Sequence, residues 1–214
     1  MRPLQVGYAV GMLCLLLSLA GCRPQLATKA ELYRWLHQPD HGLVKTRRAN
    51  GLRLTAKYLP PELLALQDWE RMTNPGRKSW DSLLAAYADS PAFLLTVEPD
   101  GKGQDDVLFR DVDSYAAYKE RALDLNFRAD QYVHLQIGTQ RHAPVLHTLE
   151  NTYSSRPGRS IYVVFAPGAG GAAGGQDRWD LVLTDEWFGT GINHFTFSRN
   201  DMADIPQIAC VSNK

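Results

Sequence analysis

Apolar residues along this chain change their spacing in a way that separates helices from strands. Leu32, Trp35 and Leu36 fall at helical intervals behind Thr28-Lys29-Ala30-Glu31. That tetrapeptide has capping-box form, in which hydroxyl and carboxylate each satisfy a backbone N–H that the first helical turn leaves open. The helix is expected to stop near Pro39-Asp40-His41-Gly42. The spacing then drops to two. Leu52, Leu54, Ala56 and Tyr58 alternate with Arg53, Thr55 and Lys57, which predicts a strand with one buried face and one in water. Leu43 to Arg47 reads as its partner, joined through an Asn50-Gly51 turn. Helical spacing returns after Pro60-Pro61-Glu62, with Leu63 and Leu66, and again at Trp80, Leu83, Leu84 and Tyr87.

Phe93 to Val97 is apolar at consecutive positions, the mark of a central strand covered on both sides. Val107 to Phe109 is expected to add a short strand. A helix is expected from about Val112 to Asn126, with Tyr115, Tyr118, Ala122 and Leu125 on one side. Beyond it the pattern is of strands: Tyr132 to Gly138, Pro144 to Tyr153, Ser160 to Ala166, Trp179 to Thr184 and Asn193 to Ser198. Their short connections favour an antiparallel meander. The expected class is α+β, a largely antiparallel sheet with helices mainly from the N-terminal half.

The first residues follow a different rule. Arg2 precedes an apolar run from Val6 to Leu19, and Leu19-Ala20-Gly21-Cys22 closes it. The run is shorter than the ~20 residues a spanning helix needs, and a cleavage-type site follows it. This start resembles the lipobox of bacterial lipoproteins. The resemblance implies a signal peptide over residues 1–21, cleavage before Cys22, lipid on that cysteine, and a short tether to residue 27. Attachment to a membrane without spanning it is then expected, with residues 28–214 as one globular domain. Of three cysteines, only Cys210 is left over once Cys14 departs and Cys22 is lipidated, so no internal disulfide is expected.

Composition excludes more than it assigns. Lysine plus arginine and aspartate plus glutamate both number 23, so the net charge is zero. Without a basic block, no nucleic-acid partner is expected. Gly168 to Gly175 is rich in glycine but leads toward a strand pattern and lacks a following lysine; it reads as an inter-strand loop, not a phosphate cradle. His134 and His147 are weak metal candidates, placed to approach each other if their strands form a hairpin. They have no third ligand by pattern, and no metal or other cofactor is expected. No nucleophile motif is present, and no catalytic residue is nominated. The acidic pairs Asp105-Asp106 and Asp185-Glu186 read as solvated strand ends. Trp179, Trp187 and Phe188 cluster near glycines and make a possible binding surface, since indole offers both an apolar face and a donor.

Tyr33-Arg34-Trp35-Leu36, Pro39 to Leu43, Asn50-Gly51-Leu52, Tyr58 to Leu63, Phe188-Gly189, Phe195-Thr196-Phe197 and Asp204-Ile205-Pro206 resemble segments of uncharacterised lipoproteins of Bacteroidetes-type bacteria. The resemblance carries no activity. It implies a Gram-negative envelope, and the absence of aspartate after Cys22 points to the outer membrane, facing the periplasm. The expected role is a non-enzymatic binding or accessory module for an envelope protein or polymer. The alternatives are an envelope hydrolase acting on glycan, peptide or lipid, and a small-ligand or metal carrier.

Overall fold

The computed structural model describes residues 28–72, 79–101, 105–150, 156–168 and 177–208. The first helix, α1 (Lys29–Leu36), starts as its capping box dictates. Thr28 accepts from the Glu31 N–H while the Glu31 side chain accepts from the Thr28 N–H. A short 3-10 turn at Pro39–His41 ends on Gly42 in the left-handed region. Strands β1 (Val44–Ala49) and β2 (Leu52–Leu59) follow. Asn50 and Gly51 have φ of 49° and 67°, the two positive values a type I′ hairpin turn requires.

Helices α2 (Pro61–Arg71) and α3 (Trp80–Ala88) precede β3 (Ala92–Pro99). Then come α4 (Tyr115–Phe127), a single turn α5 (Ala129–Tyr132), and six strands: β4 (Val133–Ile137), β5 (Gln140–His142), β6 (Pro144–Leu149), β7 (Arg159–Phe165), β8 (Arg178–Asp185) and β9 (Gly191–Ser198). A last short helix, α6, spans Arg199–Ala203.

The class is α+β as expected, but the strands form two sheets. One has the order β1-β2-β3-β7-β6, the other β5-β4-β8-β9. Every neighbouring pair is antiparallel. The second half of the chain is therefore not one meander. β6 and β7 leave β4 and β5 to complete the N-terminal sheet, and the chain returns to place β8 against β4. The central position of β3 agrees with its two-sided apolar pattern.

The two sheets share one core. Phe93 of β3 is fully buried and meets Phe197 of β9 at 5.2 Å, Tyr58 of β2 at 5.4 Å and Phe165 of β7 at 6.0 Å between ring centroids. Tyr58 meets Trp179 of β8 edge-on at 6.1 Å. Offset and edge-on contacts of this kind add to the ~1.5–3 kcal/mol that burial of each large side chain contributes. At one margin β1 lies beside β9, where Arg47 Nε donates to the His194 carbonyl at 2.8 Å.

Two local expectations are corrected. Val107–Phe109 is a 3-10 turn, because the Asp106 carboxylate caps it by accepting from the Leu108 N–H at 3.0 Å. Asp106 also pairs with Arg159, both side chains 9% exposed, so it is an internal ion pair and not a solvated strand end. Asp185 is likewise buried. Its oxygens accept from the N–H groups of Trp187, Phe188 and Thr190 at 2.9, 3.0 and 2.7 Å, which folds the β8–β9 turn around the carboxylate.

Candidate ligand pocket

On the outer face of the five-stranded sheet the polar half of the β2 alternation is partly covered. Lys57 pairs in register with Leu94 of β3, and Leu94 with Tyr162 of β7. The three form one row on the face away from the shared core. Pro60 and Pro61 follow β2 directly and start α2 without an intervening loop, since proline is pre-set for the first helical turn. α2 lies over the row. Between them is a pocket of about 400 Å³, with Tyr33 of α1 and Tyr87 of α3 at its sides. Small-molecule sites usually occupy hundreds of Å³ with a few convergent polar groups on an apolar lining. Here Leu59, Leu63, Leu64 and Leu94 supply the apolar part.

The polar groups fall into two sets. On one side, His37 Nδ1 donates to the Tyr33 carbonyl at 2.5 Å, so its Nε2 is the acceptor for the Lys57 ammonium at 2.9 Å. Gln67 Nε2 donates to the Tyr33 hydroxyl at 2.8 Å. Burial lowers the affinity of the Lys57 amine for its proton. No carboxylate among the described residues pairs with it. On the other side, the Tyr87 hydroxyl donates to Asp68. Burial, and then that bond, push the Tyr87 pKa up to about 12. Tyr162 is raised by burial and by the nearby Asp68 charge. Arg71 stands 3.9 Å from Asp68 and is mostly exposed. The described lining contains no serine, threonine, cysteine or histidine.

The residues nominated from sequence lie elsewhere. Trp179 and Phe188 are buried, at 7% and 4% exposure, and belong to the shared core. The inward parity of β8 points Trp179 at Tyr58, and its Nε1 has no hydrogen-bond partner among the described residues. Phe188 sits beneath the Arg121 guanidinium of α4, 5.2 Å from the ring centroid. Trp187 is half-buried against Tyr132 at 4.1 Å, with its Nε1 donating to Asp124 at 3.5 Å. Trp187 and Phe188 lie in the β8–β9 turn and Trp179 at the far end of β8, so the three do not present a common face to solvent.

His134 and His147 do not meet across a hairpin. β4 pairs with β5 and β8, whereas β6 pairs with β7, so His134 stands opposite Val182 in one sheet and His147 opposite Val163 in the other. No three of the described His, Cys, Asp and Glu side chains are grouped to hold a metal ion. A different histidine has a partner: His194 Nδ1 lies 2.5 Å from Asp180, on the outer face of the four-stranded sheet, with Thr196 also donating to that carboxylate at 3.2 Å. Cys22, Cys210 and residues 169–176 of the glycine run lie outside the described residues. No described helix is long and apolar enough to cross a membrane.

Sequence reading missed the pocket because Lys57 on its floor follows the polar parity of β2 and looks like an ordinary solvent-face residue. The usable signal was the Pro60-Pro61 junction, which leaves α2 no length in which to turn away from the sheet.

Comparison with known proteins adds little to this geometry. No protein-family model matches the sequence. No significant match to a curated protein is found. Among solved structures, a novel protein of unknown function from Burkholderia pseudomallei aligns over 85% of this chain and 94% of its own, with 12% identity and a TM-score of 0.35. A likeness that slight carries no argument about fold or function.

Proposed function

We propose that the chain is a lipid-anchored, non-enzymatic binding domain of a bacterial cell envelope, and that its binding site is the pocket between α2 and the outer face of the five-stranded sheet. The observation that carries the binding reading is the lining itself: leucines for an apolar body, with Lys57, Asp68, Tyr87 and Tyr162 converging on the same space and no serine, threonine or cysteine among the described lining residues. That composition favours holding a ligand over hydrolysing one, and it narrows the expected envelope partner to a small molecule or the terminus of a polymer. The envelope location rests on the lipobox form of Leu19-Ala20-Gly21-Cys22 and on the resemblance of segments between Tyr33 and Pro206 to lipoproteins of Bacteroidetes-type bacteria, with outer-membrane attachment through Cys22 facing the periplasm.

Purification of the full chain from its own envelope in a non-ionic detergent, followed by native mass spectrometry, tests the reading. A reproducible bound mass is expected in the wild type and absent in Leu94→Trp, whose indole fills the pocket floor. An occupant retained equally by a folded Leu94→Trp protein would remove the pocket from the proposal, as would a wild type that never carries one.

A further inference from the structure

Resting on that reading, the geometry points to a ligand class: we propose that the pocket takes a small monocarboxylate with an apolar body, its carboxylate held by Lys57 and its far end lying toward Tyr162. Three observations carry this. First, the ionisable lining residues Lys57, Arg71 and Asp68 leave one positive charge over. Arg71 is mostly exposed and lies near Asp68, so the uncompensated charge is that of Lys57. Its neighbours are a neutral acceptor, His37 Nε2, and the Tyr33 ring 5.9 Å away. A partly buried ammonium without a counter-ion is poorly placed, and an anion delivered by a ligand supplies what the protein omits. Burial already disfavours the charged amine here, and a bound carboxylate reverses that pressure.

Second, the row geometry sets a length. Lys57 and Tyr162 are on strands separated by β3. Two strand spacings of about 4.8 Å place their backbones about 10 Å apart. Between them lie Leu94 on the floor and Leu63 and Leu64 of α2 on the opposite side. A ligand anchored at Lys57 must cross this apolar stretch before meeting another polar group. Third, that next group is the Tyr162 hydroxyl, which has no hydrogen-bond partner among the described residues. It sits near Asp68, whose carboxylate already accepts from Tyr87. The site is thus charged at one end, apolar in the middle and able to hydrogen-bond at the other.

The same chemistry has two sources, a free organic acid or the C-terminal carboxylate of a peptide ending in an apolar residue. Caproate represents the first and N-acetylleucine the second. Hexylamine and hexanol match the apolar chain without the negative charge. Saturation-transfer NMR on the full-length protein in a non-ionic detergent measures all four. At least one carboxylate is expected to bind tenfold or more tightly than hexylamine and hexanol, and the tighter of the two identifies the source. Lys57→Met, which keeps an unbranched apolar stem, should weaken that carboxylate at least tenfold, while Lys57→Arg should retain most of the affinity.

Equal binding of amine and carboxylate overturns the proposal. So does unchanged carboxylate binding by a folded Lys57→Met protein, or the absence of binding by either carboxylate at high millimolar concentration. These failures are separable from failure of the binding-domain reading. If the envelope-purified protein still carries an occupant that Leu94→Trp expels, the pocket stands and only its carboxylate preference falls.

Discussion

Single polar atoms decide more about this molecule than its composition does. His134 is buried on β4, its Nδ1 has no hydrogen-bond partner among the described residues, and burial followed by the Arg141 charge lowers its pKa from the ordinary histidine value. The sign of the consequence is fixed by linkage. The unfolded chain takes up a proton near pH 6.5 while the folded chain resists it until lower pH, so this residue withdraws stability as pH falls through 6.5 toward its folded value. His134→Leu removes both the titration and the orphaned nitrogen. Its urea midpoint is expected to vary less between pH 7 and pH 5 than that of the wild type. A parallel pH dependence in the two proteins would show that His134 is not the acid-sensitive group. The same scale explains why sequence misread one member of each acidic pair, Asp105 and Glu186 being exposed as expected. Asp106 and Asp185 carry no pattern that announces burial; what buries them is a guanidinium on β7 and three N–H groups of a turn. A carboxylate's partners in space are not encoded in its neighbours along the chain.

At the scale of the element, local chemistry was legible wherever it acts within a few residues. The Thr28 capping box, the Asn50-Gly51 turn, the Pro61 helix start and the alternation of β2 all appear where the residues place them. Strand partners were not legible, because alternation gives a strand's faces and not its neighbours. β4 finds β8 across an excursion of two strands, and His134 and His147 consequently part. The pocket was missed for a related reason: Lys57 follows the polar parity of β2, and only the packing of α1 and α2 over the sheet half-buries it. The hairpin offers a direct check of the local argument. Gly51 holds φ of 67° at the turn, with Arg110 Nη2 3.5 Å from where a Cβ would stand. Gly51→Ala should cost about 1–2 kcal/mol, the strain of a left-handed residue with a side chain. Chemical denaturation measures it, and an unchanged midpoint would contradict the I′ geometry.

For the whole molecule, the described fold begins at Thr28, only a few residues beyond the lipidation position that the start pattern implies. Under the anchored reading, α1 is the first described element after the lipidated cysteine along the chain. Lys29 of α1 pairs with Glu70 of α2, so the end of α2 that carries Arg71 stands beside α1. Cys22→Ser should abolish lipidation and move the folded domain from the membrane fraction to the soluble one, with the mass falling by that of the acyl groups. Membrane retention without any change in mass would refute the anchor.

The interleaving of the two sheets also sets an order of assembly. β3 occupies the middle of its sheet, but its partner β7 does not leave the ribosome until residue 165, after β4 and β5 have emerged. β4 in turn waits for β8. The five-stranded sheet has all its strands only when β7 ends at Phe165, the four-stranded sheet only when β9 ends at Ser198, and Phe93 stays without Phe197 until almost the entire chain is made. Loop-closure entropy must be met before such distant contacts contribute, which makes pairing of this kind slow. The nascent chain therefore carries an open apolar sheet for most of its synthesis, and its vulnerable period belongs to biogenesis more than to the finished molecule.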